Sequence, residues 1–378
     1  MNQTILISQM IPTGGGTAFT FGFARGLVAN GCEVYFVLSD LLERKEEWER
    51  EFGADRIFYV HTHTSKKNLI PRYLAFLTSG VRELRRRFGH IPFDMVIHTM
   101  YHSWNPMIER TLGIRRVIAV DHDPIPHSGV PYLRRVRYLR YYRKMPEVIV
   151  LSRLFLPVAT EQYGHPADRV YYMPHGRMQQ YVTGGAVEPM IQSPDTVNFL
   201  FFGYAVAYKG LHVLAEAYRK VAEKLPGVTL TVASAGDFSP YAEEFASLPR
   251  TTLYLRYIDG EEIPRFFSSP RLVAVLPYLD ATQSGVIPIA MEYGVPVVAT
   301  RTGGLLEQLH DGRIGVLCEA GDADSLADAM IRIATDPAEY ARQSRLIRER
   351  LADLEWPKVT ADLLAQLKPN GVKTDGSK

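Results

Sequence analysis

Strand-length apolar runs alternate with amphipathic stretches through both halves of this chain, and that alternation constrains the fold more than any single motif. In the first half the runs are ILISQM, EVYFVL, RIFYVH, FDMVIH, RVIAVD and EVIVLS. Helix-like sequence lies between them, such as Phe19 to Asn30, closed by Gly31 as a glycine stop. A second series, VNFLFFG, VTLTVAS, TLYLRYI, RLVAVLP, PVVAT and GVLCE, follows with its own helical stretches, among them Leu211 to Leu225 and Ser325 to Ala334. Continuous apolar runs separated by helices read as parallel sheets covered on both faces. The polar, Gly- and Pro-rich segment Gln180 to Thr196 reads as the join. The pattern therefore predicts an α/β chain of two doubly wound domains, 1–182 and 197–355, linked by 183–196, with a disordered tail over 369–378. Ligands of such domains bind at the carboxyl ends of the strands, here in the cleft between the domains.

A length of 378 residues suits two cores of ordinary size. The longest apolar runs stop well short of the ~20 residues a membrane-spanning helix needs. The start, Met1 to Pro12, has neither a basic segment nor a small-residue cleavage site. Cys32 and Cys318 are far apart, which argues against a disulfide framework or a cysteine-built zinc site and suits a reducing compartment. A cytoplasmic protein is expected. Charge is uneven: residues 1–190 hold 24 Lys+Arg against 17 Asp+Glu, and the remainder 19 against 24. The positive first half suits an anionic partner, or else a solvated basic face.

Four segments could carry chemistry. Pro12-Thr13-Gly14-Gly15-Gly16 joins the first strand to the first helix, where glycine amides and a helix start favour an anion; a plain tight turn is the alternative. No GxGxxG is present, so a nicotinamide cofactor is not expected. In Leu272 to Leu317 a buried strand ends at Pro277 and Tyr278, and a helix starts near Gly285 with Pro288 inside its first turn. The amides of Ser284, Gly285, Val286 and Ile287 then have no intrahelical partner and suit a diphosphate, with Thr282, Gln283 and Ser284 side chains beside them; an ordinary capped helix is the alternative. Phe199 to Ala217, FLFFGYAVAYKGLHVLAEA, sets Gly203, Tyr204 and Lys209 in a loop after a strand. Asp121-His122-Asp123-Pro124-Ile125-Pro126-His127-Ser128-Gly129 follows the strand RVIAV and is stiffened by two prolines, which suits a reaction-centre edge; a prolyl loop with solvated histidines is the alternative, and its spacing matches no common zinc pattern.

The order strand, glycine-containing turn, helix, Pro296 to Thr300 (PVVAT) and Gly303-Gly304-Leu305-Leu306-Glu307 resembles the donor-binding region of retaining GT-B glycosyltransferases of glycosyltransferase family 4. The likeness continues through Asp311-Gly312, Gly315-Val316-Leu317 and Ala320-Gly321-Asp322. It implies two Rossmann-like domains facing a cleft, with a last helix over 356–368 crossing back to the first and Trp356 as its anchor. It also implies Lys209 at the donor's pyrophosphate and His122 facing the transferred sugar, with Asp123 beside it and His127 as a second candidate. Pro174-His175-Gly176 stands where the family has a hinge turn. Two departures are evident: Tyr204 occupies an arginine position, and Ala281 and Ile289 stand where paired glutamates are usual. Asp280 and Glu292 lie near but out of register. Gln283 and Ser284 are expected to contact the diphosphate instead.

Resemblance thus implies transfer of a hexose-type sugar from a nucleoside diphosphate to a hydroxyl of a saccharide or lipid-linked saccharide, in surface or exopolysaccharide synthesis, without metal or cofactor. The competing expectation is a non-catalytic sugar-nucleotide-binding or partner subunit. Two basic stretches lie in the first half, Arg82 to Phe88 and Pro131 to Met145. The second carries Arg134, Arg135, Arg137, Arg140, Arg143 and Lys144 among tyrosines and leucines, as an anionic membrane surface would favour; a packed basic surface helix is the alternative. No nucleic-acid motif is present, and no nucleic-acid partner is expected.

Overall fold

The computed structural model describes residues 3–62, 69–127, 132–182, 187–190 and 196–367. The expected linker falls largely outside these residues, and the expected tail wholly so. Two parallel sheets organise the chain. The first contains β1 (Thr4–Gln9), β2 (Glu33–Ser39), β3 (Ile57–Val60), β4 (Met95–His98), β5 (Val117–Asp121), β6 (Glu147–Val150) and β7 (Val170–Tyr172), in the order β3-β2-β1-β4-β5-β6-β7. The second contains β8 (Asn198–Tyr204), β9 (Thr229–Ala235), β10 (Thr251–Tyr254), β11 (Leu272–Leu276), β12 (Val297–Thr300) and β13 (Val316–Cys318), in the order β10-β9-β8-β11-β12-β13. Each sheet reverses direction of growth beside its first strand, which opens a crevice at the carboxyl ends of β1 and β4 and of β8 and β11. Strand β7 was not among the expected strands. Its run is three residues long and carries two tyrosines, too short for a periodic signal.

Residues on opposite faces of the first sheet feed two cores. Ile5, Ile7, Phe36, Ile97 and Ile118 face one way; Leu6, Val37, Val96, Ala119 and Val148 face the other. The first helix, Gly15–Ala29, covers the former face and starts four residues before the expected Phe19. Gly14 caps it at φ +90°, and Gly15 and Gly16 form its opening turn.

The last helix, Trp356–Gln366, packs against this first helix and not against the second sheet, as expected of a returning element. Gly22 and Gly26 make the contact: a Cβ on Gly22 would lie 2.0 Å from the Trp356 indole nitrogen, and one on Gly26 2.6 Å from the Trp356 carbonyl. The Trp356 ring rests edge-on against Phe19, 5.3 Å between centroids, and its Nε1 donates to the Arg177 carbonyl at 2.7 Å. Among the described residues no helix is long and apolar enough to cross a membrane.

Candidate active site

In the first lobe the glycine-rich loop and the end of β5 meet at the cleft. The Glu43 amide donates to the Pro12 carbonyl at 2.9 Å, which sets its carboxyl beside Gly14 and Tyr257 of the second lobe; burial pushes its pKa up against their opposing pull. An anion of the chain's own thus sits where the loop was expected to receive one. Asp121 ends β5 and is only 1% exposed. It accepts from the Tyr138 hydroxyl at 2.8 Å and the Asp123 amide at 3.2 Å, and burial lifts its carboxyl to about 8. His122 is half-buried, with Nε2 2.9 Å from the Thr99 carbonyl and its ring edge-on to Phe19. That contact makes Nε2 the donor and leaves Nδ1 as the acceptor, and burial lowers the imidazole pKa.

His175, in the hinge turn, lies on another edge of Phe19; burial holds it at about 4. It is a neutral packing residue, as the hinge reading requires.

In the second lobe the last two residues of β8 are Gly203, whose φ of +145° suits only glycine, and Tyr204, which is exposed. A single turn, Ala207–Lys209, follows, and Gly210 is obligatory there: a Cβ would come within 1.9 Å of the Pro277 carbonyl oxygen. This close approach brings the loop after β8 onto the end of β11, where the Leu279 amide donates to the Tyr208 carbonyl at 2.7 Å. Lys209 Nζ lies 3.6 Å from the centre of the Tyr278 ring, an ammonium resting on an aromatic face. The Tyr278 hydroxyl lies 3.2 Å from Ser284 Oγ. One buried tyrosine therefore spaces the lysine from the start of the helix Val286–Tyr293, here called the cleft helix.

That helix start departs in part from expectation. The Ser284 amide donates to Gln308 Oε1 at 2.8 Å while Gln308 Nε2 returns to the Ser284 carbonyl, and the Val286 amide donates to Ser284 Oγ at 3.2 Å. Two of the four amides expected to be open are thus capped from within. The Gly285 amide has no hydrogen bond among the described residues, and Gln283 Oε1 is buried without a partner. The helix does point into the groove: Cβ atoms built on Gly285 and on Gly15 would both lie within 4 Å of the Met178 methyl, so the two helix starts face one another across it.

Side chains bridge the lobes along the cleft. His127 Nδ1 lies 2.6 Å from Asp280 of the second lobe and Nε2 3.1 Å from Asp123 of the first. Its ring is stacked on Tyr208, 3.9 Å between centroids and 9° from parallel. Thr282 Oγ1 donates to Asp123 Oδ1 at 2.6 Å. Burial alone would lower the His127 pKa; the two carboxylates outweigh it and raise it. Farther along, Glu307 accepts from Ser152 Oγ at 2.5 Å and the Arg153 amide at 2.7 Å. A cavity of about 390 Å³ opens between these bridges, lined by Ile125, His127, Leu154, Asp280, Thr282 and Thr302 among others.

The absence of the paired glutamates has a physical counterpart. Ala281 and Ile289 are 6% and 5% exposed and belong to the second core, so the cleft helix presents no carboxylate to a ligand there. Glu292 turns the other way, to Arg177. Of these two out-of-register acids, Asp280 is the one that reaches the cleft. Tyr208, Gln308 and Glu43 were not among the expected site residues; each acts across loops distant in sequence, and only the Lys-Gly signal beside Tyr208 pointed near one of them. Among the described residues no group of three or more His, Cys, Asp or Glu side chains is gathered as a metal ligand set.

The basic segment after the β5 loop forms a helix, Tyr132–Tyr142. Tyr138, Tyr141, Tyr142 and Met145 turn inward and pack in the first core, as the surface-helix alternative requires. Outward stand Tyr132 and Leu133, each 76% exposed, with Val136 and the arginines 135, 137 and 140; Arg143 and Lys144 just beyond the helix are also exposed. The Arg134 side chain lies outside the described residues.

Two facing lobes of this topology, with a charged loop at each strand end along the groove, define a GT-B glycosyltransferase. The family model described as Glycosyltransferase Family 4 matches residues 13–177, and the one described as Glycosyl transferases group 1 matches residues 196–336. Between them the two glycosyltransferase models match both lobes, and the chain resembles glycosyltransferase family 4. It is similar to a D-inositol 3-phosphate glycosyltransferase of Pseudarthrobacter chlorophenolicus, 24% identical over 325 residues that span 78% of this chain and 75% of that protein. Its fold is similar to that of Anabaena HepE in complex with UDP and glucose (TM-score 0.71, 17% identity, 97% of this chain and 99% of that one). The sucrose-phosphate synthase of Thermosynechococcus elongatus is as similar, with a TM-score of 0.71, 18% identity and the same coverage.

Proposed function

We propose that the protein transfers a hexose-type sugar from a nucleoside diphosphate to a hydroxyl of a saccharide or lipid-linked saccharide, with retention of configuration and without a metal. The observation that carries this reading is Lys209, held over Tyr278 beside a helix start that opens on the other lobe. An ammonium and a helix start separated by one tyrosine favour the charge that grows on a departing diphosphate bound beside them. The bond from the sugar's anomeric carbon to the phosphate oxygen breaks as the acceptor oxygen bonds to that carbon on the same face. The released phosphate oxygen takes the acceptor's proton, so no carboxylate base is needed. Nδ1 of His122, free to accept, suits a hydroxyl of the sugar. The UDP and glucose bound by Anabaena HepE, which is similar in fold, support a nucleotide-sugar donor, and the exposed Tyr132, Leu133 and arginines support an anionic membrane surface as a further partner.

A thermal-shift screen against UDP-, GDP-, ADP- and dTDP-sugars, followed by release of free sugar, tests the reading. One donor at ~100 Kd stabilises by about 2.7 kcal/mol, and the same donor is slowly hydrolysed. Stabilisation with no hydrolysis and no transfer to any hydroxyl acceptor would establish the binding-subunit alternative.

A further inference from the structure

His127 is placed in a way that its own lobe does not require. Its ring lies flat on Tyr208, and each ring nitrogen meets a carboxylate, Asp123 from one lobe and Asp280 from the other. A flat ring on an aromatic face, donating at opposite edges to two acids, is the arrangement in which proteins hold a pyranose: its C–H face takes the aromatic ring and its hydroxyls donate to the carboxylates. Tyr208 is also the neighbour of Lys209, so a ring on that platform lies next to the place proposed for the diphosphate. The adjoining cavity of about 390 Å³ leaves room for the displaced imidazole or for an acceptor. Positions 281 and 289, buried in the second core, offer the sugar nothing.

We propose that Tyr208, Asp123 and Asp280 form the reading surface for the transferred sugar, and that His127 occupies it as a removable stand-in until the donor enters. This deepens the glycosyltransferase reading and rests on it. The closed, self-occupied cleft competes with the sugar moiety but not with the nucleoside diphosphate. Removing the imidazole raises the fraction of molecules competent for the sugar, and apparent affinity rises with that fraction.

Calorimetric titration with a nucleoside diphosphate and with the corresponding nucleoside diphosphate hexose (UDP and UDP-glucose, GDP and GDP-mannose) separates the cases. His127→Ala is expected to bind the sugar nucleotide about fivefold more tightly. Asp280→Asn, which keeps the shape and loses the charged acceptor, is expected to bind it about tenfold less tightly. Affinity for the bare diphosphate stays within about twofold in both, which also reports that each variant is folded. Weaker sugar-nucleotide binding by His127→Ala, parallel changes for both ligands, or no change in either variant would overturn the stand-in. A wild-type protein that binds neither ligand defeats the glycosyltransferase reading itself; one that binds the diphosphate while the variants fail to separate the ligands defeats only this inference.

Discussion

Arg177 grips Glu292 through two parallel hydrogen bonds, Nε to Oε1 at 3.0 Å and Nη2 to Oε2 at 2.7 Å, although one residue belongs to the segment leaving the first lobe and the other to the cleft helix. The Glu292 side chain is 1% exposed, and it also accepts from the Met178 amide at 3.1 Å. Glu355, at the threshold of the last helix, takes the remaining face of the guanidinium. The hinge is thus a planar cation clasped between two acids from elements far apart in sequence. Breaking a buried pair leaves a charge without a partner and costs about 3 kcal/mol. Glu292→Gln should lower the urea midpoint accordingly, with normal secondary structure by circular dichroism. An unchanged midpoint would mean that the pair only marks the hinge.

Lys209→Ala should reduce turnover by on the order of a hundredfold, with a smaller effect on donor KM, because the ammonium acts on charge that develops as the sugar leaves. Initial rates at saturating donor are the measurement. A change confined to KM would place the lysine in binding alone.

Gly303→Ala should destabilise the protein by at least about 2 kcal/mol. Gly303 has φ +47°, and a Cβ there would sit 1.6 Å from the Ala281 carbonyl oxygen. The glycine pair seats the β12 loop on the backbone before the cleft helix, and differential scanning calorimetry would read its loss. Unaltered unfolding would show that the loop shifts away freely.

The Asp121 carboxyl should make stability fall as pH rises. Its folded pKa is about 8 against an unfolded value near 3.9, so above pH 4 the unfolded chain releases a proton that the folded chain keeps. The stabilisation is complete below that point and disappears as pH climbs through 8. Asp121→Asn keeps an acceptor for Tyr138 and the Asp123 amide. The variant should flatten this dependence between pH 5 and 9 and be more stable than wild type at pH 8, by about 2 kcal/mol or more. A variant weaker at every pH would mean that the carboxylate is held ionised.

Tyr132 and Leu133 stand out from the first lobe amid a basic face. If this face rests on an anionic bilayer, Leu133→Glu should lower the fraction that co-sediments with phosphatidylglycerol vesicles several-fold, and neutral vesicles should retain little of either form. Equal sedimentation of variant and wild type would remove the membrane from the account.

Most strands and helices were legible because burial on both faces leaves continuous apolar runs, as in Val297–Thr300, and because helix stops are chemical, as at Gly31. Strand Val170–Tyr172 escaped notice for want of length. The inward face of the basic helix was legible in principle, since Tyr138, Tyr141, Tyr142 and Met145 recur at helical spacing. What no spacing announces is contact between loops. His127 and Asp280, or Ser152 and Glu307, are each more than 150 positions apart, and only closure of two sheets brings them together. The cap that Gln308 places on Ser284 belongs to the same kind: the free amides of a helix start are legible, but the group that fills them is not.

The slot that Gly22 and Gly26 leave on the first helix bears on how the molecule is made. Trp356 and Thr360 fill that slot, and they are translated after every strand of both sheets. The lobe whose strands are translated earliest is therefore sealed latest, with Phe19 and Phe23 bare on one flank until then. A nascent chain stalled after its second sheet would carry that greasy seam uncovered, a natural foothold for chaperones.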